Sequence, residues 1–211
     1  MPTPKQIARR ERIEAAAYAV LKESGYKSAS LLAIARRASA SNETLYTWYG
    51  SKQALFRSLV EANVAEARDL LQDTLEAGGD PIATLRTLGP VLLAMVTGDK
   101  AITLNRAAAG DVSDTHTLGP AIANFGRGTM APLLRDLLAA AHRDGALSCD
   151  DPAEAADIYF RLLIGDLQVR RVIGVLDELT PEQIAERAAG ATTAFLRLYA
   201  VPTAADRTEQ P

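Results

Sequence analysis

Between Ser39 and Lys52 the chain reads Ser-Ala-Ser-Asn-Glu-Thr-Leu-Tyr-Thr-Trp-Tyr-Gly-Ser-Lys. Hydroxyls, a carboxamide, a carboxylate, aromatic rings and an ammonium crowd a segment too short to bury a core of its own. These are the groups with which a short helix hydrogen-bonds base edges in a DNA major groove and phosphates beside it. Ser41 is placed as an N-cap. Leu45 and Tyr49, four apart, share a face that belongs to a core, while Thr44, Thr47 and Trp48 share another. Trp48 and Tyr49 are neighbours and cannot both face the same way. Asn42 and Glu43 fall in the first turn, where base edges are reached. The Tyr46 hydroxyl suits a phosphate. Gly50 stops the helix, Ser51 caps the next, and Lys52 in its first turn suits the sugar-phosphate backbone. Taken singly, each of these residues is equally at home on a solvated helix; the combination in this order is what fits a reading helix.

Such a helix needs a frame. The spacing of Ile13, Ala16, Ala17, Val20 and Leu21 predicts a first helix from Lys5 or Gln6 to Ser24, ended by Gly25 in a left-handed cap. Tyr26 is expected to pack back on the core. Ser28 or Ser30 opens a second helix with Leu31, Ile34, Ala35 and Ala38 inward and Arg36 and Arg37 outward. The N-terminus of that helix, with Ser30, is a seat for a phosphate. The turn Ala38-Ser39-Ala40 joins it to the reading helix.

Charge is distributed unevenly along the 211 residues, whose net charge is −3. Residues 1–58 hold ten basic and four acidic side chains, a surplus of six positive charges, so the remainder carries −9. A basic head on an acidic body fits a protein with one end against a polyanion, although a solvated basic face would look alike. Alanine and leucine outnumber β-branched and aromatic residues, which favours an all-helical fold. No apolar run is long enough to span a bilayer, and residues 1–6 lack a signal-peptide core. One cysteine, Cys149, agrees with a reducing compartment. The expected location is the cytoplasm, with no membrane association.

Beyond the head, the expected units are 1–50 as a helix-turn-helix domain, 51–202 as a helical body and 203–211 as a polar tail. A fourth helix is predicted from Lys52 to Ala77, with Leu55, Leu59, Ala62, Ala65 or Glu66, and Leu70 as its stripe. Pro81 opens a fifth to about Val96, kinked or broken at Gly89-Pro90. A sixth covers Lys100 to Ala109, and 110–116 reads as loop. A pattern from Leu118 or Pro120 to Arg143 is interrupted by Gly126 and Gly128. Another runs from Pro152 to about Gly174. Thr180-Pro181-Glu182-Gln183 is a strong start for the last helix.

Catalytic constellations are missing from the sequence pattern. His116 and His142 stand apart from any metal-ligand spacing, Cys149 lacks a local partner set, and no phosphate loop of the required spacing occurs. The expectation is a non-enzyme without metal or cofactor.

The order Gly25-Tyr26, Ser30-Leu31, Ile34-Ala35, Ala38-Ser39-Ala40-Ser41, Thr44-Leu45-Tyr46, Trp48-Tyr49, Ser51-Lys52 and Leu55 resembles the N-terminal domain of the TetR family of transcriptional regulators, over about residues 8–58. Leu104-Asn105-Arg106 through Ala146-Leu147, followed by Asp150-Asp151-Pro152, is similar to an AefR-type C-terminal domain. The resemblance implies an all-α homodimer that represses transcription at a near-palindromic double-stranded DNA operator and is released by a small-molecule inducer. It implies phosphate contacts from Ser30, Tyr46 and Lys52, with Ser41, Asn42, Thr44, Thr47 and Trp48 at the groove. Where the family has Gly-Val, this chain has Ser39-Ala40, so Ser39 must adopt a backbone conformation that glycine takes more easily. The dimer surface falls to the last two long helices, through Phe160, Leu163, Leu167, Phe195 and Leu198, although those stripes could equally close one subunit's core. An inducer pocket falls among the middle helices. Leu92, Met95, Phe125, Met130, Leu133 and Leu163 are its apolar candidates, and Asn105, Asn124, Asp166 and Gln168 its polar ones. A helical interaction module with nonspecific nucleic-acid affinity is the alternative, and a void among the middle helices would argue against it.

Overall fold

Seven helix starts among the described residues carry a side-chain cap, and these caps set the segmentation. In the computed structural model, which describes residues 3–199 and Val201, α1 (Pro4–Ser28) opens on Thr3 and Gln6 in a reciprocal capping box. Ser30, Ser41 and Ser51 each accept from the backbone N–H three residues on, opening α2 (Leu31–Arg37), α3 (Asn42–Tyr49) and α4 (Lys52–Ala77). Asp80 opens α5 (Pro81–Thr97) and Asp151 opens α9 (Pro152–Ile164) in the same way. Thr180 and Gln183 form a second capping box before α11 (Pro181–Tyr199). Each cap satisfies amide protons that would otherwise be orphaned. Between them lie α6 (Asp99–Asp111), α7 (Leu118–Ile122), a π turn over Ala123–Arg127, α8 (Gly128–Arg143) and α10 (Leu167–Val172). The fold is all-α, with no strand among the described residues. The expected polar tail, 203–211, lies outside them.

Two hydrophobic cores form. One joins α1, α2, α3 and the first turns of α4 to Leu104, Ala107 and Leu118 of α6 and α7. The other joins the rest of α4 to α5, α8, α9 and α11. The buried face of α4 is Leu55, Phe56, Leu59, Val60, Val64, Ala67 and Leu71. Ala62 and Glu66 of the expected stripe are exposed, and Ala65 and Leu70 are only half-buried. The stripe instead runs through the valines, which fill the space against two different cores.

Gly89-Pro90 does not break α5. The helix is clamped there: a Cβ on Gly89 would stand 3.0 Å from Tyr159 Oη and 3.1 Å from Ala188 Cβ, so α9 and α11 approach it closely. Tyr159 donates its hydroxyl to the Leu85 carbonyl at 3.0 Å beside the proline turn. The single helix expected over 152–174 is instead two. Gly165 takes a φ of 51° and ends α9. Arg187 of α11 donates to the Leu163 and Leu162 carbonyls at 3.0 and 2.7 Å, completing that end. Arg106 does the same for α10, on the Val172 and Arg171 carbonyls. Guanidinium groups are suited to helix C-termini because the last carbonyls are unsatisfied and carry the negative end of the dipole. The α6 helix reaches Asp111 rather than Ala109.

Ser39 has a φ of 51°, as its place in the turn demands. An L side chain in that region costs about 1 kcal/mol relative to glycine. Ser39→Gly is therefore expected to raise the thermal midpoint by roughly 2–4 °C for a chain of this size. Calorimetric melting checks it, and an unchanged or lower midpoint would mean that the turn carries no strain.

Candidate nucleic-acid interface and ligand cavity

The head core buries Leu45 completely and half-buries Tyr49, so these two residues of α3 face inward. The opposite face carries Asn42, Glu43, Tyr46 and Thr47, all exposed, with Tyr46 at 54%. The flank is held from α1. Arg9 donates to Thr44 Oγ1 at 2.8 Å, Thr44 Oγ1 lies 2.7 Å from Ser41 Oγ, and the Arg9 guanidinium sits 5.6 Å from the Trp48 ring centroid. Thr44 and Trp48 thus share a face, as their spacing requires, but Thr44 is half-buried under Arg9. Thr47 belongs with Glu43 on the open side. Ser41 and Ser30 are exposed, with their hydroxyls occupied as caps. Arg9 was not among the expected site residues. Nothing in its spacing marks it, because its partners are thirty-five or more positions away in the chain.

Lys52 is the largest departure in the head. Its ammonium turns inward, donating to the Tyr26 carbonyl at 2.8 Å and the Lys27 carbonyl at 3.4 Å, and lies 4.3 Å from the Tyr26 ring centroid. Burial lowers its pKa, and the Asp111 carboxylate partly restores it. Here Lys52 acts first as the C-terminal cap of α1.

Close by, the turn after α6 is organised by Asp111, which is 1% exposed. Its carboxylate accepts from Thr115 Oγ1 at 2.7 Å, Thr115 N at 3.1 Å, Thr117 N at 2.9 Å and Leu118 N at 3.2 Å. Thr117 in turn donates to Tyr26 Oη at 3.1 Å, and Lys27 pairs with Asp114 at 2.6 Å. The α6–α7 turn is therefore bonded to the end of α1, beside the start of α4.

The body holds a cavity of about 190 Å³. Val64, Leu92, Met95, Leu104, Met130 and Phe160 are among its apolar walls. Its polar lining is Asn63, Asn105, Gln168 and Arg127. Of the expected pocket residues, Leu92, Met95, Asn105, Met130 and Gln168 line it. Leu163 is fully buried in the body core. Phe125 packs on the head core under Arg57, whose guanidinium is 5.2 Å from its ring centroid. Asn124 and Asp166 are exposed, and Leu133 packs elsewhere on the body core. Asn63, Arg127 and Phe160 were missed as lining residues.

The expected dimer residues divide. Phe160, Leu163 and Phe195 are buried within the single chain, Leu167 is half-buried, and Leu198 is 63% exposed. The stripes of α9 and α11 close the subunit's own core, with Tyr159 and Phe195 edge to face at 5.4 Å. Phe160 faces the cavity under the Arg127 guanidinium, 4.9 Å from its ring centroid.

The lone thiol is not poised for chemistry. Cys149 is buried, and burial followed by the Asp150 and Asp151 carboxylates pushes its pKa up. His116 lies in the α6–α7 loop and His142 at the end of α8.

A family model described as bacterial regulatory proteins, tetR family, matches residues 13–59, and one described as AefR-like transcriptional repressor, C-terminal domain, matches residues 83–201. No curated protein matches the chain. Among solved structures, a transcriptional regulator assigned to the TetR family from Mesorhizobium loti MAFF303099 is 22% identical, with a TM-score of 0.75, over 95% of this chain and 100% of that one. A TetR transcriptional regulator from Agrobacterium tumefaciens is 27% identical, with a TM-score of 0.71, over 99% and 100%. The flavonoid-responsive regulator FrrA is 28% identical, with a TM-score of 0.65, over 93% and 99%.

The Asp111 turn makes a pH-dependent contribution. Burial alone would raise its carboxyl, but the bonds from Thr115, Leu118 and Thr117 outweigh burial and hold it below the ordinary range. A carboxyl depressed below its unfolded value of about 3.9 stabilises the fold above that pH and loses the contribution as pH falls through the folded value. Asp111→Asn is expected to cost about 2 kcal/mol at neutral pH, roughly 4–8 °C in melting midpoint. The gap to the parent protein should narrow on acidification from pH 5 toward pH 2. A gap constant across that range would remove the charge as its source.

Proposed function

This chain belongs to the TetR family of transcriptional regulators and carries an AefR-like C-terminal domain, and on that premise we propose that it is a homodimeric, ligand-released repressor acting in the cytoplasm. Each subunit lays α3 in a major groove, so that two heads read the halves of a near-palindromic operator. Asn42, Glu43 and Thr47 meet base edges, Tyr46 and Ser30 meet phosphates, and Thr44 and Trp48 hold the helix through Arg9. Lys52 fixes the end of α1 against α4 and adds positive charge near the backbone. The observation that carries this reading is the exposed polar face of α3, set at the tip of a basic head and locked from α1.

Release follows from the shared walls. Lining residues of the cavity come from α4, α6 and α7, through Val60, Asn63, Leu104, Asn105 and Ile122. A small molecule between these helices moves α6 relative to α4. The Asp111 turn passes the movement to Tyr26, and α4 passes it to Lys52. To switch the protein fully, the ligand must favour the released conformation by several kcal/mol. The cavity supports this reading over that of an interaction module without a ligand. The second subunit packs on the outer side of α9 and α11, where Leu198 remains exposed.

Fluorescence anisotropy on the DNA upstream of its own gene, against scrambled duplex, across a salt series, tests the reading. Asn42→Ala and Thr47→Ala should each cost about 1–3 kcal/mol on the upstream fragment and little on the scrambled one. Tyr46→Phe should weaken both alike. Equal affinity for the two duplexes, with all three variants indistinguishable, would defeat the proposal.

A further inference from the structure

The cavity is small and mostly apolar. At about 190 Å³ it falls below the roughly 300–1,000 Å³ that accommodates drug-sized ligands. It slightly exceeds the apolar void of about 150 Å³ that accepts benzene. One ring with one or two small substituents fills it.

Its polar groups sort ligands by charge. Asn105 donates its amide nitrogen to the Ala101 carbonyl at 2.8 Å, and Gln168 donates its own to the Val96 carbonyl at 3.0 Å. A carbonyl only accepts, so each bond fixes its amide with the nitrogen toward the backbone and one N–H still free, and with the oxygen turned away from that carbonyl. The two amide oxygens receive no hydrogen bond from the described residues. They ask for a hydrogen-bond donor. The only ionisable lining residue, Arg127, already pairs with Asp157 at 2.6 Å and covers the Phe160 ring. A carboxylate inside would have to compete with Asp157 for that guanidinium or do without a counter-charge. Phe160 and the thioethers of Met95 and Met130 offer contacts suited to an aromatic face or edge.

We propose that the cavity binds a small, uncharged, single-ring aromatic molecule bearing a hydrogen-bond donor, of the phenol class. The proposal rests on the cavity being the effector site, but its test does not need DNA.

Calorimetry on the full-length protein with 4-ethylphenol, ethylbenzene and 4-ethylbenzoate separates the possibilities. The phenol should bind, with ethylbenzene and the benzoate each about tenfold weaker or more, since one hydrogen bond is lost or one charge buried. A Cβ at Gly126 would meet only Val60 Cγ1, at 4.0 Å, so a side chain there grows into the cavity. Gly126→Leu should abolish phenol binding while the melting midpoint holds. If that variant folds poorly, Ala123→Leu on the same π turn replaces it. The proposal is overturned if the benzoate equals or exceeds the phenol, if no probe binds, or if the filled variants still bind the phenol. Phenol binding without release of a bound duplex would uphold the ligand class and sink the release mechanism.

Discussion

One buried helix face makes the molecule a unit. The apolar side of α4 is divided between two cores: Leu55, Phe56, Leu59 and Val60 seal the head, and Val64, Ala67 and Leu71 enter the body. Burying each of the larger side chains is worth roughly 1.5–3 kcal/mol, so neither core can release the helix cheaply. The α4 helix carries no glycine or proline between Lys52 and Ala77, so no hinge residue interrupts it. A shift imposed on its middle is therefore delivered to its first turn, where Lys52 holds the carbonyls at the end of α1. The second link, from α6 through Asp111 and Thr117 to Tyr26, reaches the same point from the other side of the cavity.

The positive charge of the head has two uses. Arg9, Arg10, Lys27, Arg37, Lys52 and Arg57 are engaged with threonine, carboxylate or carbonyl partners within the protein. Lys5, Arg12, Lys22 and Arg36 have no such partner among the described residues. Exposed ion pairs are weak, worth about 0–1 kcal/mol, so most of these cations are still open to exchange for phosphate. Lys52 is different, because its two carbonyl bonds and the Tyr26 ring define where α1 ends. Its removal would disturb the frame as well as the field.

Local chemistry was legible in the sequence, and long-range partnership was not. Ser30, Ser41, Ser51, Asp80 and Thr180 could be read as caps because a cap is satisfied within three residues. Ser39 could be read as left-handed only through the resemblance, because it stands where the family has glycine. Phe160 and Phe195 lie on clear helical stripes, but a stripe says only that it is buried, never by which neighbour; within one chain, α5, α8 and α11 were available to cover them. The split at Gly165 was hidden because the capping guanidinium, Arg187, lies more than twenty residues away. The cavity was half legible. Leu92, Met95 and Asn105 sit on regular helices, whereas Arg127 ends a π turn that shifts the register of every later side chain.

That irregularity is concentrated around the cavity. Its walls include the π turn at 123–127, the residues on either side of the Gly165 break, and α10, a helix of six residues. Gln168 donates one N–H of its amide to the Val96 carbonyl at the end of α5, and Arg171 donates to the Thr97 carbonyl and to Asp99 across the α5–α6 junction. Here side chains supply hydrogen bonds that regular helices supply for themselves. Such segments rearrange at lower cost than the packed interior. Opposite them stands α4, continuous and buried in both cores. A molecule wedged between a yielding wall and a stiff one first displaces the yielding wall. On the proposed release mechanism, its motion would be confined by the bonds that tie α6 and α7 to the head, so the soft side of the cavity would convert occupancy into displacement and the Asp111 turn would give that displacement its direction.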